Sequence, residues 1–291
     1  LTRMTERKSA YKQQQEAWRD INTRLSALDG RLSDLRLSST FQRRIATSSD
    51  EQLVSATAGN QAIEGTYELT IANTAMAHRV ASDGEVKELV YNGDEIIRIT
   101  VGQGDSQKTT EVTIKADSDL VTVVKDINEA VAGVKATVIG GRLVLESTDT
   151  GLSHQIRLNG SKAFLVDQLR LGTDVDSDGN LLGIKTIRPA ENAQLTINGI
   201  EVTSESNTLR DAVQGMTFTL RDAGTAQITV GQDVDSAVSK IKAFVDQYNS
   251  VISFIAEKTK VTMTDAGDIG SIGTLQGDGT ANRLREDIRF Q

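Results

Sequence analysis

The sequence predicts a multidomain α+β protein: an antiparallel, coiled-coil-like helical stalk and two β-rich head domains, one inserted in the other. Three observations predict it. Near the start, Met4, Tyr11, Trp18, Leu25 and Leu32 recur every seven residues, and Ile21, Leu28 and Leu35 follow the last three of these by three. Near the other end, Val234, Val238, Ile241, Val245, Tyr248, Ile252 and Ile255 alternate spacings of four and three. Such a rhythm gathers apolar side chains on one side of a helix. Between the two patterns the period shortens to that of strands and turns.

Taken in order, residues 1–37 read as one helix, with a break possible where Gly30 costs about 1 kcal/mol of helix propensity. Its early seam is polar at Arg7 and Gln14, and Ser38, Ser39 and Thr40 end the pattern. Tyr67, Leu69 and Ile71 alternate with Glu68 and Thr70, as a half-buried strand requires. Ile97, Ile99 and Val101 form a strand that turns at Gly102, Gln103, Gly104 and Asp105 and pairs with Val112 and Ile114. Asp117 or Ser118 is placed to cap a helix that turns Leu120, Val123, Val124, Ile127 and Val131 inward. Gly140 and Gly141 join two alternating runs, and Asn198 and Gly199 join two more; both pairs are tight-hairpin signals. Residues 209–213 read as a short helical turn, and 216–220 with 228–230 as a further hairpin. Asp233 or Asp235 caps the second stalk helix, residues 259–279 read as loop, and Leu284 and Ile288 suggest one more helix. The expected domains are a helical leg (1–42 and 233–291), a discontinuous β-rich domain (43–85 and 188–232) and an inserted β-rich domain (86–187), with a boundary near Pro189.

Composition narrows the function. Hydrophobic residues make up 38% and aromatics 4%, so the cores rest on aliphatic side chains. No run approaches the ~18 apolar residues of a membrane span, and membrane insertion is not expected. No signal peptide is visible, and a start at Leu1 inside a helical pattern suggests a fragment. With no cysteine there is no disulfide scaffold, thiol nucleophile or thiolate-held metal. Pro189 is the single proline, where average usage of ~5% would give roughly fifteen. Scarce proline removes slow isomerisation from refolding, which suits a chain exported unfolded. Residues 1–45 carry ten Lys/Arg against five Asp/Glu, while the remainder carries 22 against 35. An acidic body argues against nucleic acid as a partner.

Asp174, Asp176 and Asp178 followed by Gly179 resemble the front of a calcium loop. The twelfth position, which needs a bidentate carboxylate, is Lys185, so an Asx/Gly surface turn is the better reading. His78 and His154 have no metal-ligand spacing, and the 102–104 turn lacks the third glycine of a dinucleotide loop. No catalytic, cofactor or metal residues are assigned, and an enzyme is not expected. The assigned residues are structural. Trp18, Ile21, Leu25 and Leu28 should pack against Ile241, Val245, Tyr248 and Ile252 in the stalk. Arg24, Arg31 and Arg36 form a basic face suited to an acidic neighbouring subunit.

Several blocks then carry a resemblance: STFQRR (39–44), TSSD (47–50), SATA (55–58), GTYEL (65–69), GGRLVLESTDTG (140–151), NTLRDAVQGMTFTL (207–220), FVDQYN (244–249) and LQGDGTANRL (275–284). In this order they resemble the bacterial flagellar filament cap family, also called hook-associated protein 2, whose terminal helices this chain lacks. The resemblance implies a homo-oligomeric ring at the extracellular flagellum tip, exported without a cleaved signal peptide. The ring would retain exported flagellin and promote its folding and insertion. Implied partners are flagellin, the hook–filament junction protein and an export chaperone. Two rivals stay open: another flagellar axial protein, and a surface adhesin binding host glycans or mucin.

Overall fold

The computed structural model describes residues 2–104, 107–263 and 269–289. In chain order the elements are α1 (Thr2–Arg36), the single turn α2 (Ser38–Phe41), β1 (Arg44–Ser48), β2 (Val54–Ala58), β3 (Gly65–Asn73) and β4 (Arg79–Ala81). There follow β5 (Glu95–Val101), β6 (Lys108–Ile114), α3 (Leu120–Ala130), β7 (Val134–Ile139), β8 (Arg142–Ser147) and β9 (Ile156–Asn159). Next come β10 (Asp174–Val175), β11 (Leu181–Leu182), β12 (Lys185–Arg188), β13 (Ala193–Ile197), β14 (Ile200–Ser204), β15 (Thr208–Arg210), β16 (Met216–Leu220) and β17 (Gly224–Gln232). The chain closes with α4 (Val234–Thr259), β18 (Val261–Met263), β19 (Ile269–Ile272) and α5 (Gly279–Arg289). Helices and antiparallel sheets together give the mixed α+β class. No described helix is long and apolar enough to cross a membrane.

The chain forms two compact units, residues 1–44 with 232–291, and residues 45–231. The second unit holds two apolar cores. In one, the five-stranded sheet β1-β17-β3-β13-β14 and the three-stranded sheet β15-β16-β2 share a core. Leu69, Ile71, Leu195 and Ile228 enter it from the first sheet, and Val54, Leu209, Phe218 and Leu220 from the second. In the other, sheets β12-β4-β8-β7 and β6-β5-β9 enclose Val80, Ile97, Ile99, Val112, Leu143, Leu145 and Leu158. Val123 and Ile127 of α3 and Phe164 of a short π-helical segment (Ala163–Gln168) complete that core. Val80 joins it because β4 pairs with β8 and β12, so the strand lies upstream of the boundary expected after residue 85.

Several local readings find their elements. The glycine pair turns β7 into β8 with φ of 56° and 70°, and Asn198 and Gly199 turn β13 into β14 with φ of 50° and 81°. Positive φ at both central residues is what a type I′ hairpin turn demands. α1 runs unbroken through Gly30. The cap of α3 is Asp119, whose side chain accepts from Thr122 N at 2.8 Å, rather than Asp117 or Ser118.

Other readings are corrected. Residues 208–210 are a strand, because Leu209 sits opposite Phe218 and is buried with it. β16 and β17 do not pair; they belong to the two sheets that face one another, and the chain crosses between them through 221–223. Part of the expected 259–279 loop is the hairpin β18–β19. Asp105 of the expected 102–105 turn, and residues 264–268 of that loop, lie outside the described residues.

Candidate functional site

The helical unit is where the sequence places its functional surface. Asp233 caps α4 by accepting from Ser236 N at 3.0 Å, and it also pairs with Arg43 at 3.0 Å. Asp278 caps α5 by accepting from Thr280 N at 2.9 Å and Ala281 N at 3.2 Å. Its second oxygen accepts from Trp18 Nε1 at 3.2 Å. The core between the helices is Ala17, Ile21, Val251, Ile255, Leu275 and Ala281, with Trp18, Leu25, Leu28, Phe254, Leu284 and Ile288 packed around it.

Ile21 lies in that core and Trp18, Leu25 and Leu28 pack against it, but not on the partners expected for them. Ile241 and Val245 lie outside that core: each is 44% exposed. Tyr248 and Ile252 are half-buried, outside the main cluster. The face of α4 that meets α1 is carried by Gln247, Val251 and Phe254. Gln247 Nε2 donates to the Arg24 carbonyl at 2.9 Å, and the Arg24 guanidinium lies 4.4 Å over the Phe254 ring. Lys240 reaches Thr40 Oγ1 of α2 at 3.1 Å. Gln247, Val251, Phe254 and Lys240 each fall one residue before a member of the apolar seam, a rotation of about 100° around the helix, and of the seam itself Ile255 is buried with them. Polar groups thus take part of the packed face, which hides it from a search for apolar repeats.

Arg24 is corrected as well. Its Nη1 donates to Ser250 Oγ at 2.5 Å while the guanidinium covers Phe254, so it serves the α1–α4 packing instead of a free basic face. Arg31 and Arg36 are exposed.

The acidic loop is built as a turn. Asp176 Oδ1 accepts from Asp178 N at 2.9 Å and Asn180 N at 2.8 Å, and Oδ2 accepts from Asn180 Nδ2 at 2.9 Å. These bonds hold its carboxyl below the usual range. Asp174 pairs with Lys162 at 2.9 Å, and Lys185 pairs with Asp83 at 2.9 Å. Among the described residues no group of three His, Cys, Asp or Glu is placed to hold a metal ion. His78 Nδ1 accepts from Ile156 N at 2.9 Å, and burial pushes its pKa down. Sequence reasoning missed this role, as a lone histidine at a strand edge gives no signal of its partner.

The family profile described as the flagellar hook-associated protein 2 N-terminus matches residues 1–78, and the C-terminus profile of the same protein matches 190–291. The crystal structure of the D2–D3 domains of the flagellar cap protein FliD from Escherichia coli is matched over its whole length by 65% of this chain, with 30% identity and a TM-score of 0.55. The chain belongs to the flagellar hook-associated protein 2 family. The D1-D2-D3 structure of the same E. coli cap protein aligns with 94% of this chain and 75% of that chain, at 28% identity and a TM-score of 0.70. Flagellar hook-associated protein 2 of E. coli K12 is 29% identical over 303 residues, covering 99% of this chain and 64% of that protein. The chain thus spans less than two thirds of that relative's length. A flagellin hook IN motif covers residues 98–149 and takes in most of the 140–151 block.

Proposed function

We propose that this chain is part of a flagellar filament cap: a homo-oligomeric plate at the filament tip that retains exported flagellin and promotes its folding and insertion. The observation that carries this reading is the alignment of nearly the whole chain with a flagellar cap protein structure. The role is structural. The partners are further copies of the chain, flagellin, the hook–filament junction protein and an export chaperone. The site is extracellular, reached without a cleaved signal peptide.

Residues 45–231 form two β-rich domains in this reading, one inserted in the other, in keeping with their two separate cores. That unit carries 26 Asp/Glu against 15 Lys/Arg, so it offers an acidic surface to the exposed Arg31 and Arg36 of a neighbouring leg. Double charge reversal, Arg31→Glu with Arg36→Glu, should weaken self-association in sedimentation at low salt. Unchanged assembly would remove both residues from the interface.

Immunogold labelling of intact cells tests the whole reading. Gold confined to the free filament tip is expected. Gold along the filament or at its base would instead assign another axial protein, and gold away from flagella would return adhesion to the front.

A further inference from the structure

Three asparagines in the sequence are followed by glycine: Asn92, Asn159 and Asn198. Glycine has no side chain, so nothing screens its amide nitrogen from the carboxamide of the residue before it. The nitrogen can attack that carboxamide when the asparagine side chain is free to turn and the amide is free to lose its proton. The fold grants both freedoms at one of the three pairs.

Two pairs are held. Asn198 sits in the β13–β14 turn, where its Oδ1 accepts from Glu68 N at 2.8 Å. Asn159 ends β9, and its Nδ2 donates to Asp178 O at 2.8 Å and to Asn180 Oδ1 at 3.1 Å. The following amide is engaged as well, since Gly160 N donates to Gly179 O at 3.0 Å. Asn92 differs on each count. It is exposed in the segment leading to β5. Among the described residues neither its side chain nor the Gly93 amide has a hydrogen-bond partner. Gly93 has φ of 90°, and a Cβ built on it would meet nothing within 4 Å, so the space around its nitrogen is open.

We propose that Asn92 is a site of spontaneous covalent modification, converting to aspartate and isoaspartate through a cyclic succinimide. Hydroxide takes the Gly93 amide proton, and the nitrogen bonds to Asn92 Cγ. The Cγ–Nδ2 bond breaks, and Nδ2 leaves as ammonia with a proton from water. A second water opens the five-membered ring. Breaking the new Cγ–N bond gives aspartate; breaking the original peptide C–N bond gives isoaspartate, whose main chain runs through Cβ. The balance is one water consumed and one ammonia released, with no oxidation.

The position gives the change a structural effect. Tyr91 and Asp94 flank the pair and both meet Lys115: the Tyr91 hydroxyl donates to its carbonyl at 2.6 Å, and Asp94 pairs with its ammonium at 2.6 Å. Either product places a new carboxylate two residues from Asp94, where like charges repel. Isoaspartate also adds one carbon to the main chain between these two anchors. The reaction needs only water, so the proposal does not rest on the cap reading.

The full-length protein, aged in mildly alkaline buffer made with ¹⁸O-labelled water and then digested with trypsin in ordinary water, tests this. The label marks hydrolysis that took place before digestion. Residues 88–98 form a tryptic peptide whose only asparagine is Asn92, and residues 158–162 one whose only asparagine is Asn159; fragmentation locates Asn198 in its own peptide. Mass spectrometry should show Asn92 converting several-fold faster than the other two, as a pair of chromatographically separate products. In urea the three rates should converge. An unconverted Asn92, or equal rates in the folded protein, would overturn the proposal. The same lead persisting in urea would assign it to local sequence and overturn the structural argument. Asn92→Gln, checked for folding by circular dichroism, should abolish label in the 88–98 peptide; label that remains would place the reaction at Asp94 and reject the site.

Discussion

In the 45–231 unit, Leu69, Phe218 and Ile228 are completely buried between two sheets. In the helical unit, Ile241 and Val245 belong to an equally regular apolar pattern and stand 44% exposed. The difference comes from how each element divides its faces. A strand has two faces, so alternation leaves one choice of core side, and a slip by one residue would expose every apolar group. A helix has a continuous surface. A neighbour can seat one residue away from the best apolar seam if polar groups on that face find partners, as Gln247 and Lys240 do. An apolar repeat on a helix therefore marks a surface that will be covered, without saying by what.

The largest expected effect lies on the sheet side of this contrast. Phe218→Ala should cost about 3–5 kcal/mol in urea denaturation, because a fully buried ring leaves a cavity between facing sheets. A loss below 1 kcal/mol would mean the sandwich core collapses freely around the gap. Next is Glu146, which accepts from Arg79 at 2.8 Å and from Arg188 at 2.5 Å. Glu146→Gln should cost about 1.5–3 kcal/mol, the range for hydrogen bonds to charged groups, read from the same denaturation curves.

Asp233→Ala removes the α4 cap and should cost about 1 kcal/mol, seen as a lowered midpoint of the helical signal. A smaller, pH-dependent effect belongs to His78. Burial lowers its folded pKa below the ordinary 6.5. The unfolded chain then binds a proton before the folded one does, so stability is full above about pH 6.5 and falls as pH drops from there through the lowered folded value. His78→Gln should flatten that slope in denaturation midpoints between pH 7.5 and 5.5; an equal slope would assign it to other groups. Smallest of all, Ile241→Ala should stay within about 0.5 kcal/mol in the isolated chain. A cost near that of a core residue would place Ile241 in contacts of its own chain.

Much of the sheet architecture is legible residue by residue. The alternation at Tyr67, Leu69 and Ile71, the turns at Gly140 with Gly141 and Asn198 with Gly199, and the amphipathic stretch around Val123 and Ile127 each specify local geometry. Around Leu209 the sequence holds too little pattern to separate a turn from a strand, and burial opposite Phe218 decides it. The break between β16 and β17 is likewise a matter of long-range pairing. Arg24 reads as a surface cation from its sequence neighbours, and only Ser250 and Phe254, far along the chain, draw it inward.

By itself the sequence determined the element periods, the tight turns, the cysteine-free aliphatic cores and the order of blocks that marks the family. Those properties depend on local sterics and on which side chains prefer to leave water. Tertiary structure alone decided which strands share a sheet, which face of α4 meets α1, and which apolar groups remain exposed. Such choices depend on the summed packing and hydrogen bonding of residues up to 260 positions apart, as between Trp18 and Asp278. No local period records that sum.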